Sequence, residues 1–134
     1  MSQVLIIDDS LVERMTLKAY VEKSGLQVLT ASSASEATYV LQSVSPKIIV
    51  LDIVMKDISG FQFCRKLKNN PATKLIPIVM CSSKSTQVDK VWADILGANA
   101  YLTKPVDRQE FINTIWNLMM ETRKKTRVHR SFSI

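Results

Sequence analysis

Asp8 and Asp9 follow the aliphatic run VLII, Asp52 ends KIIVLD, Ser82 follows IPIVMC and Lys104 follows AYLT. Neighbouring carboxylates repel and are costly to crowd against a core, so something must compensate them. A hard divalent cation with oxygen ligands does this. Mg2+ (or Mn2+) suits a site offering a couple of carboxylates and a backbone carbonyl, because Mg2+ keeps several waters and leaves room for phosphate oxygens. Asp8 and Asp9 read as its cradle. With the metal bound, a carboxylate can serve as a nucleophile towards a phosphoryl group and form an aspartyl phosphate. Asp52, alone at the end of its run, is the candidate. Lys104 would neutralise one non-bridging phosphoryl oxygen and Ser82 would hydrogen-bond another. Taken singly, each feature has a plain explanation: Asp9 or Ser10 caps a helix, Ser82-Ser83 is a loop and Lys104-Pro105 is a turn. The set, spread over the ends of four runs, is what points to chemistry.

Positioning these groups requires a sheet. The runs VLII (4–7), VLTA (28–31), KIIVL (47–51), IPIVMC (76–81) and AYLT (100–103) are short, continuous and rich in Ile and Val. Such runs predict strands covered on both faces, hence a mostly parallel sheet. Helical spacing lies between them: Val88, Val91, Trp92, Ile95 and Leu96 form one apolar arc, with Trp92 in its middle and so expected in the core. Phe111, Ile112, Ile115, Leu118 and Met119 form another, with Trp116 and Met120 at its margin. Gly25 and Gly97 suit the residue after a helix, Gly60 is expected in the loop after the third strand, Ser10 can cap the first helix, and Pro71 and Pro77 flank the start of the fourth strand. Five βα units joined by right-handed crossovers give a doubly wound α/β sheet with helices on both faces. Such a sheet gathers functional groups at the carboxyl ends of its strands, where Asp8, Asp9, Asp52, Ser82 and Lys104 fall.

The 134 residues, 46% hydrophobic and 22% charged, suit one globular domain, taken as residues 1–121 with a basic tail at 122–134. The net charge of +6 sits mostly at that end, where Arg123, Lys124, Lys125, Arg127 and Arg130 face only Glu121. Dense charge with few apolar residues predicts disorder there, and no DNA-reading fold can be built from it. His129 is a lone histidine with no partner for metal or phosphoryl chemistry. No apolar run approaches the ~20 residues of a membrane span, and MSQVLIIDDS lacks the basic region and long apolar segment of a signal peptide. A cytoplasmic protein without membrane insertion is expected. Cys64 and Cys81 fit small core hydrophobes, with no zinc-like spacing. DDSLVER has no glycine-rich phosphate loop, and Asp52-Ile53-Val54 lacks the second acid of aspartate-based phosphatases.

At IIDDS, LDIVMKDISGF, VMCSS and GANAYLTKP the chain resembles the receiver domains of two-component response regulators, over residues 3 to about 120. The resemblance implies the flavodoxin-like strand order 2-1-3-4-5. It also implies that a histidine kinase or phosphotransfer protein phosphorylates Asp52. Asp9, Asp52 and the Val54 backbone carbonyl would ligate Mg2+, with Asp8 acting mostly through water. Ser82 and Tyr101 match the switch pair, through which phosphorylation would remodel helix 4, strand 5 and helix 5 for a downstream target protein. The peptide before Pro105 is cis in many members. The implied molecule is a stand-alone regulator that catalyses only its own phosphorylation and dephosphorylation and signals by binding a partner or a second copy of itself. Within the family it is similar to regulators of type IV pilus twitching motility and phototaxis, notably cyanobacterial ones.

Departures from the family pattern are Lys56 where many members have proline, and Ser59 before the glycine. Lys56 either assists phosphodonor approach or is simply solvated. Val54 and Lys84, two residues beyond Asp52 and Ser82, stand where the family tunes phosphoryl lifetime; valine cannot orient an attacking water, so slow self-hydrolysis is expected. Trp116, with Tyr101, reads either as a partner-binding face or as edge-of-core packing. A pseudo-receiver, docking without phosphorylation, is the alternative from another class.

Overall fold

The computed structural model describes the backbone of residues 3–131 and the side chains of residues 3–121. The elements alternate as expected: β1 (Gln3–Ile7), α1 (Leu11–Lys23), β2 (Gln27–Ala31), α2 (Ala34–Leu41), β3 (Ile48–Leu51), α3 (Gly60–Lys68), β4 (Ile78–Ser82), α4 (Gln87–Ile95), β5 (Ala100–Thr103) and α5 (Arg108–Ser131). All five strands are parallel, in the order β2-β1-β3-β4-β5. Every residue of β3 and β4 is buried, which is why those strands read as unbroken apolar runs.

Alternate residues of each strand feed two separate cores, as the twofold period of a strand requires. Leu5, Ile7, Ile49, Leu51, Ile78 and Met80 pack with Phe63 and Leu67 of α3 and Ala93 of α4. Val4, Ile6, Ile48, Val50, Val79 and Cys81 pack on the other face with Leu17 and Val21 of α1 and with Phe111, Ile115 and Leu118 of α5. Both cysteines are free and buried, as small core residues. Ser10, Ser33, Ser59 and Thr86 cap α1 to α4, each hydroxyl accepting an amide hydrogen from three residues on. Gly25 and Gly97 follow α1 and α4 with φ of 90° and 102°, the left-handed conformation that ends a helix. The Lys104-Pro105 peptide is cis.

Two expectations are corrected. Four of the five residues of the α4 arc are turned outward: Val88, Val91, Trp92 and Ile95 are 65%, 48%, 52% and 66% exposed, while Leu96 packs partly buried against the first core. The buried residues of α4 are instead Asp89 and Ala93. Spacing shows which residues share a face but not which way it points; the small Ala93 lets α4 lie close to the sheet, and Asp89 is spent on the cap, receiving the Thr86 amide and hydroxyl. Gly60 is not in a loop but is the first residue of α3, because Ser59 with Gln62 forms a capping box before it. The α5 arc faces the core as expected, with Phe111 and Ile115 fully buried, while Trp116 is 39% exposed.

The backbone of α5 runs on to Ser131, so no change of secondary structure marks residue 121. The disorder expected of 122–134 therefore meets a described helical backbone as far as Ser131; the side chains of 122–131 and residues 132–134 lie outside the described residues. No helix among the described residues is long and apolar enough to cross a membrane.

Candidate functional site

Asp8, Asp52 and Lys104 are each the first residue past a strand and Ser82 the last within one, held by one more rung of the ladder. The Asp8 amide donates to the Ala31 carbonyl at 3.1 Å, Asp52 to Ile7 at 3.0 Å, and Lys104 to Ser82 at 3.0 Å. Parallel pairing sets these ends level, Ile7 beside Leu51 and Ser82 beside Thr103. The sheet edge therefore fixes Asp8, Asp52, Ser82 and Lys104 from four neighbouring strands. Asp9 enters from the turn into α1.

Asp8, Asp52 and Ser82 are buried, at 1%, 6% and 0% exposure. Buried carboxylates must be paired, and Lys104 is the partner. Its Nζ lies 2.7 Å from Asp8 Oδ2 and 3.6 Å from Asp52 Oδ1, and it also donates to Glu13 Oε2 on α1. Burial works to lower the pKa of Lys104, but the bonds to Asp8 and Glu13 and the charge of Asp52 outweigh it and hold the ammonium above the ordinary lysine value. Asp52 moves the other way for a carboxylate: burial, helped by the charge of Asp8, outweighs Lys104 and the bonds from Ile53 and Ser82, pushing it up to about 6.

One ligand oxygen from each of Asp8, Asp9 and Asp52 can be chosen so that all lie within 4.8 Å of one another. This all-oxygen set, with Asp9 only half-buried, fits a hard divalent cation that keeps water ligands. Val54, expected to add its carbonyl, begins the exposed part of the β3–α3 loop, with a residue exposure of 56%. Lys56 is exposed as well.

The two expected switch residues meet at Lys84. Ser82 Oγ accepts from the Lys84 amide at 3.2 Å, and the Tyr101 hydroxyl donates to the Lys84 carbonyl. Burial, with the charges of Asp89 and Asp52, pushes the Tyr101 hydroxyl up to about 12. It is therefore a donor at neutral pH, suited to that carbonyl.

Gly60 shows how tightly the turn after Asp52 is folded. A Cβ there would stand 2.1 Å from the Asp52 carbonyl oxygen, while the Gly60 amide donates to the Ile53 carbonyl at 2.7 Å. Only glycine lets α3 start this close to the end of β3. Across the loop, the Asp57 carboxylate accepts from the Ala34 and Ser35 amides at 3.3 and 2.9 Å, tying the β3–α3 loop to the start of α2.

Sequence reasoning missed Glu13, Arg14 and Asp57. Arg14 donates to the Asp8 carbonyl at 2.7 Å and so steadies the acidic pair from α1. Glu13 was hidden by Ser10-Leu11-Val12-Glu13, a pattern that looks like a capping box and gives the acid a purely local duty. The signal available was Asp8 itself, two residues before Ser10 and able to take the Ser10 amide in its place.

The model for the response regulator receiver domain matches residues 4–116. The chain belongs to the receiver-domain family of two-component response regulators. It is 39% identical to Protein PilH of Pseudomonas aeruginosa over 115 residues, 86% of this chain and 95% of that protein. It is 38% identical to Protein PilG of the same organism over 113 residues, 84% of each chain. Among solved structures it resembles the chemotaxis protein CheY4 of Vibrio cholerae, with a TM-score of 0.83 and 26% identity over 88% of this chain and 98% of that one.

Proposed function

We propose that this chain is a phosphorylation-driven switch whose phosphoacceptor is Asp52. The observation that carries the reading is the placement of Asp52: a buried carboxylate in a cluster of three, 3.6 Å from a buried lysine ammonium. An Asp52 carboxylate oxygen attacks the phosphorus of a phosphohistidine on a histidine kinase or phosphotransfer protein. A P–O bond forms, the P–N bond breaks, and its electron pair stays on the imidazole nitrogen, which is then protonated. Lys104 neutralises a phosphoryl oxygen, and the Ser82 hydroxyl turns from the Lys84 amide to another. Asp9, Asp52 and the Val54 carbonyl would hold Mg2+ (or Mn2+), with Asp8 acting mostly through water; the ion would supply charge neutralisation for the phosphoryl oxygens. The chain then acts as an enzyme only on itself, in its own phosphorylation and dephosphorylation, and Val54, unable to orient a water, makes the phosphoryl group long-lived.

Once Ser82 moves, the Lys84 loop is free to shift and Tyr101 to leave it, which changes the surface of α4, β5 and α5. The exposure of Val91, Trp92 and Ile95 on α4 and of Trp116 on α5 supports this reading. It receives a downstream target protein or a second copy of the chain. Likeness to the chemotaxis protein CheY4 supports a place in motility signalling.

The test is intact mass after incubation with Mg2+ and acetyl phosphate, beside Asp52→Ala and a chelator control. One phosphoryl addition that needs both Asp52 and Mg2+ is the expected result. A folded chain that takes up none, under conditions that label another receiver, makes this a constitutive docking module.

A further inference from the structure

Lys104 has three anionic partners, and one of them is not part of the acidic cluster. Glu13 sits in the first turn of α1, where its backbone amide donates to the Ser10 hydroxyl at 3.4 Å. In a capping box its carboxylate would fold back onto the Ser10 amide. That amide is already bonded, at 2.9 Å, to Asp8 Oδ1. Asp8 thus takes over the cap and leaves Glu13 free to reach across to β5, where it accepts from Lys104 Nζ. The two ends of this pair differ: the Lys104 side chain is 9% exposed, whereas Glu13 is 44% exposed. Both line a cavity of about 190 Å³ between α1 and the Pro105-Val106 segment, walled by Thr16, Leu17 and Tyr20. Glu13 has room to swing away; Lys104 has little.

We propose that Glu13 is a positioning residue that parks the Lys104 ammonium on the α1 side and thereby restrains phosphorylation of Asp52. Lys104 Nζ bonds Glu13 and Asp8 and stands 3.6 Å from Asp52, beyond hydrogen-bond range of the carboxylate it must assist. Two of its three protons are held by Glu13 and Asp8, so a move towards a phosphoryl oxygen on Asp52 strains the Glu13 bond. Glu13 also adds a fourth negative charge beside Asp8, Asp9 and Asp52, which opposes an anionic phosphodonor and favours a cation in the cluster. The inference rests on Asp52 being the phosphoacceptor.

Glu13→Gln keeps the shape and removes the charge, so both effects are tested together. In the full chain at saturating Mg2+, the variant is expected to take its phosphoryl group from acetyl phosphate about fivefold faster, the scale of a half-exposed ion pair. Calorimetric titration without donor is expected to show weaker Mg2+ binding. A residue that merely stabilised α1 would slow phosphorylation when lost and would lower the melting temperature, so unfolding is followed alongside. A rate equal to or below that of the unaltered chain, or an unchanged Mg2+ affinity, overturns the proposal. If neither chain is labelled, the phosphoacceptor reading fails and takes this one with it; if both are labelled at the same rate, only the role of Glu13 fails.

Discussion

Asp52 is held in the folded chain at a cost. Its carboxyl is raised from an ordinary 3.8 to about 6 because burial and Asp8 outweigh Lys104. The folded chain therefore binds the proton more tightly than the unfolded chain. Above about pH 6 the ionised Asp52 destabilises the metal-free fold; as the pH falls from 6 towards 3.8 the folded chain takes up the proton first and that cost disappears. In chelator at pH 7.5, Asp52→Asn should thus melt higher than the unaltered chain, by on the order of 5 °C. At pH 5 the gap should narrow. A gap that is absent at pH 7.5, or that widens on acidification, contradicts this account of the site. Asp8, Asp52, Ser82 and Lys104 were legible as a group because a parallel sheet can put them in only one place, the carboxyl ends of the runs that precede them. Glu13 was not legible, because a residue three positions after a capping serine has a local role that the sequence suggests first.

At the level of elements, the same logic succeeded for strands and for α5 and failed for α4. A strand buried on both faces has no direction to get wrong, so IIVL and IVMCS needed only to be recognised as apolar. A helix has one buried arc, and α5 declared it through Phe111, Ile115 and Leu118, all of them buried. In α4 the larger arc points outward, and the helix is seated instead through Ala93 with its cap at Thr86 and Asp89. Residue size was misleading there, since a small side chain allowed close approach. The difference is measurable by urea unfolding. Trp92→Ala should cost no more than about 1 kcal/mol, as for a residue mostly outside the core. Phe111→Ala, removing a fully buried ring, should cost about 3–5 kcal/mol. Comparable losses at the two positions would mean that α4 packs inward after all. If the outward arc serves binding, Trp92→Ala should also leave labelling of Asp52 untouched while weakening capture of the target.

For the molecule as a whole, the alternation of five apolar runs with five helical stretches was enough to give the sheet, and right-handed crossovers gave its helices on both faces. The strand order itself came from resemblance, because sequence spacing alone permits more than one winding. The C-terminal boundary is a different matter: α5 runs through residue 121 without a break. A boundary there is nonetheless the expectation on energetic grounds. Among the described side chains, α5 contributes Phe111, Ile115 and Leu118 to the second core, with Ile112 and Met119 partly buried beside them. The charge beyond is dense and of one sign, with Arg123, Lys124, Lys125, Arg127 and Arg130. Most helical stability in proteins comes from an apolar face packed on a core, and the residues after Glu121 include few apolar ones to supply such a face. A chain ending at Glu121 should therefore unfold within about 1 kcal/mol of the full chain and take up its phosphoryl group from acetyl phosphate at the same rate. Loss of cooperative unfolding in that shortened chain would instead show that the segment after 121 packs onto the domain.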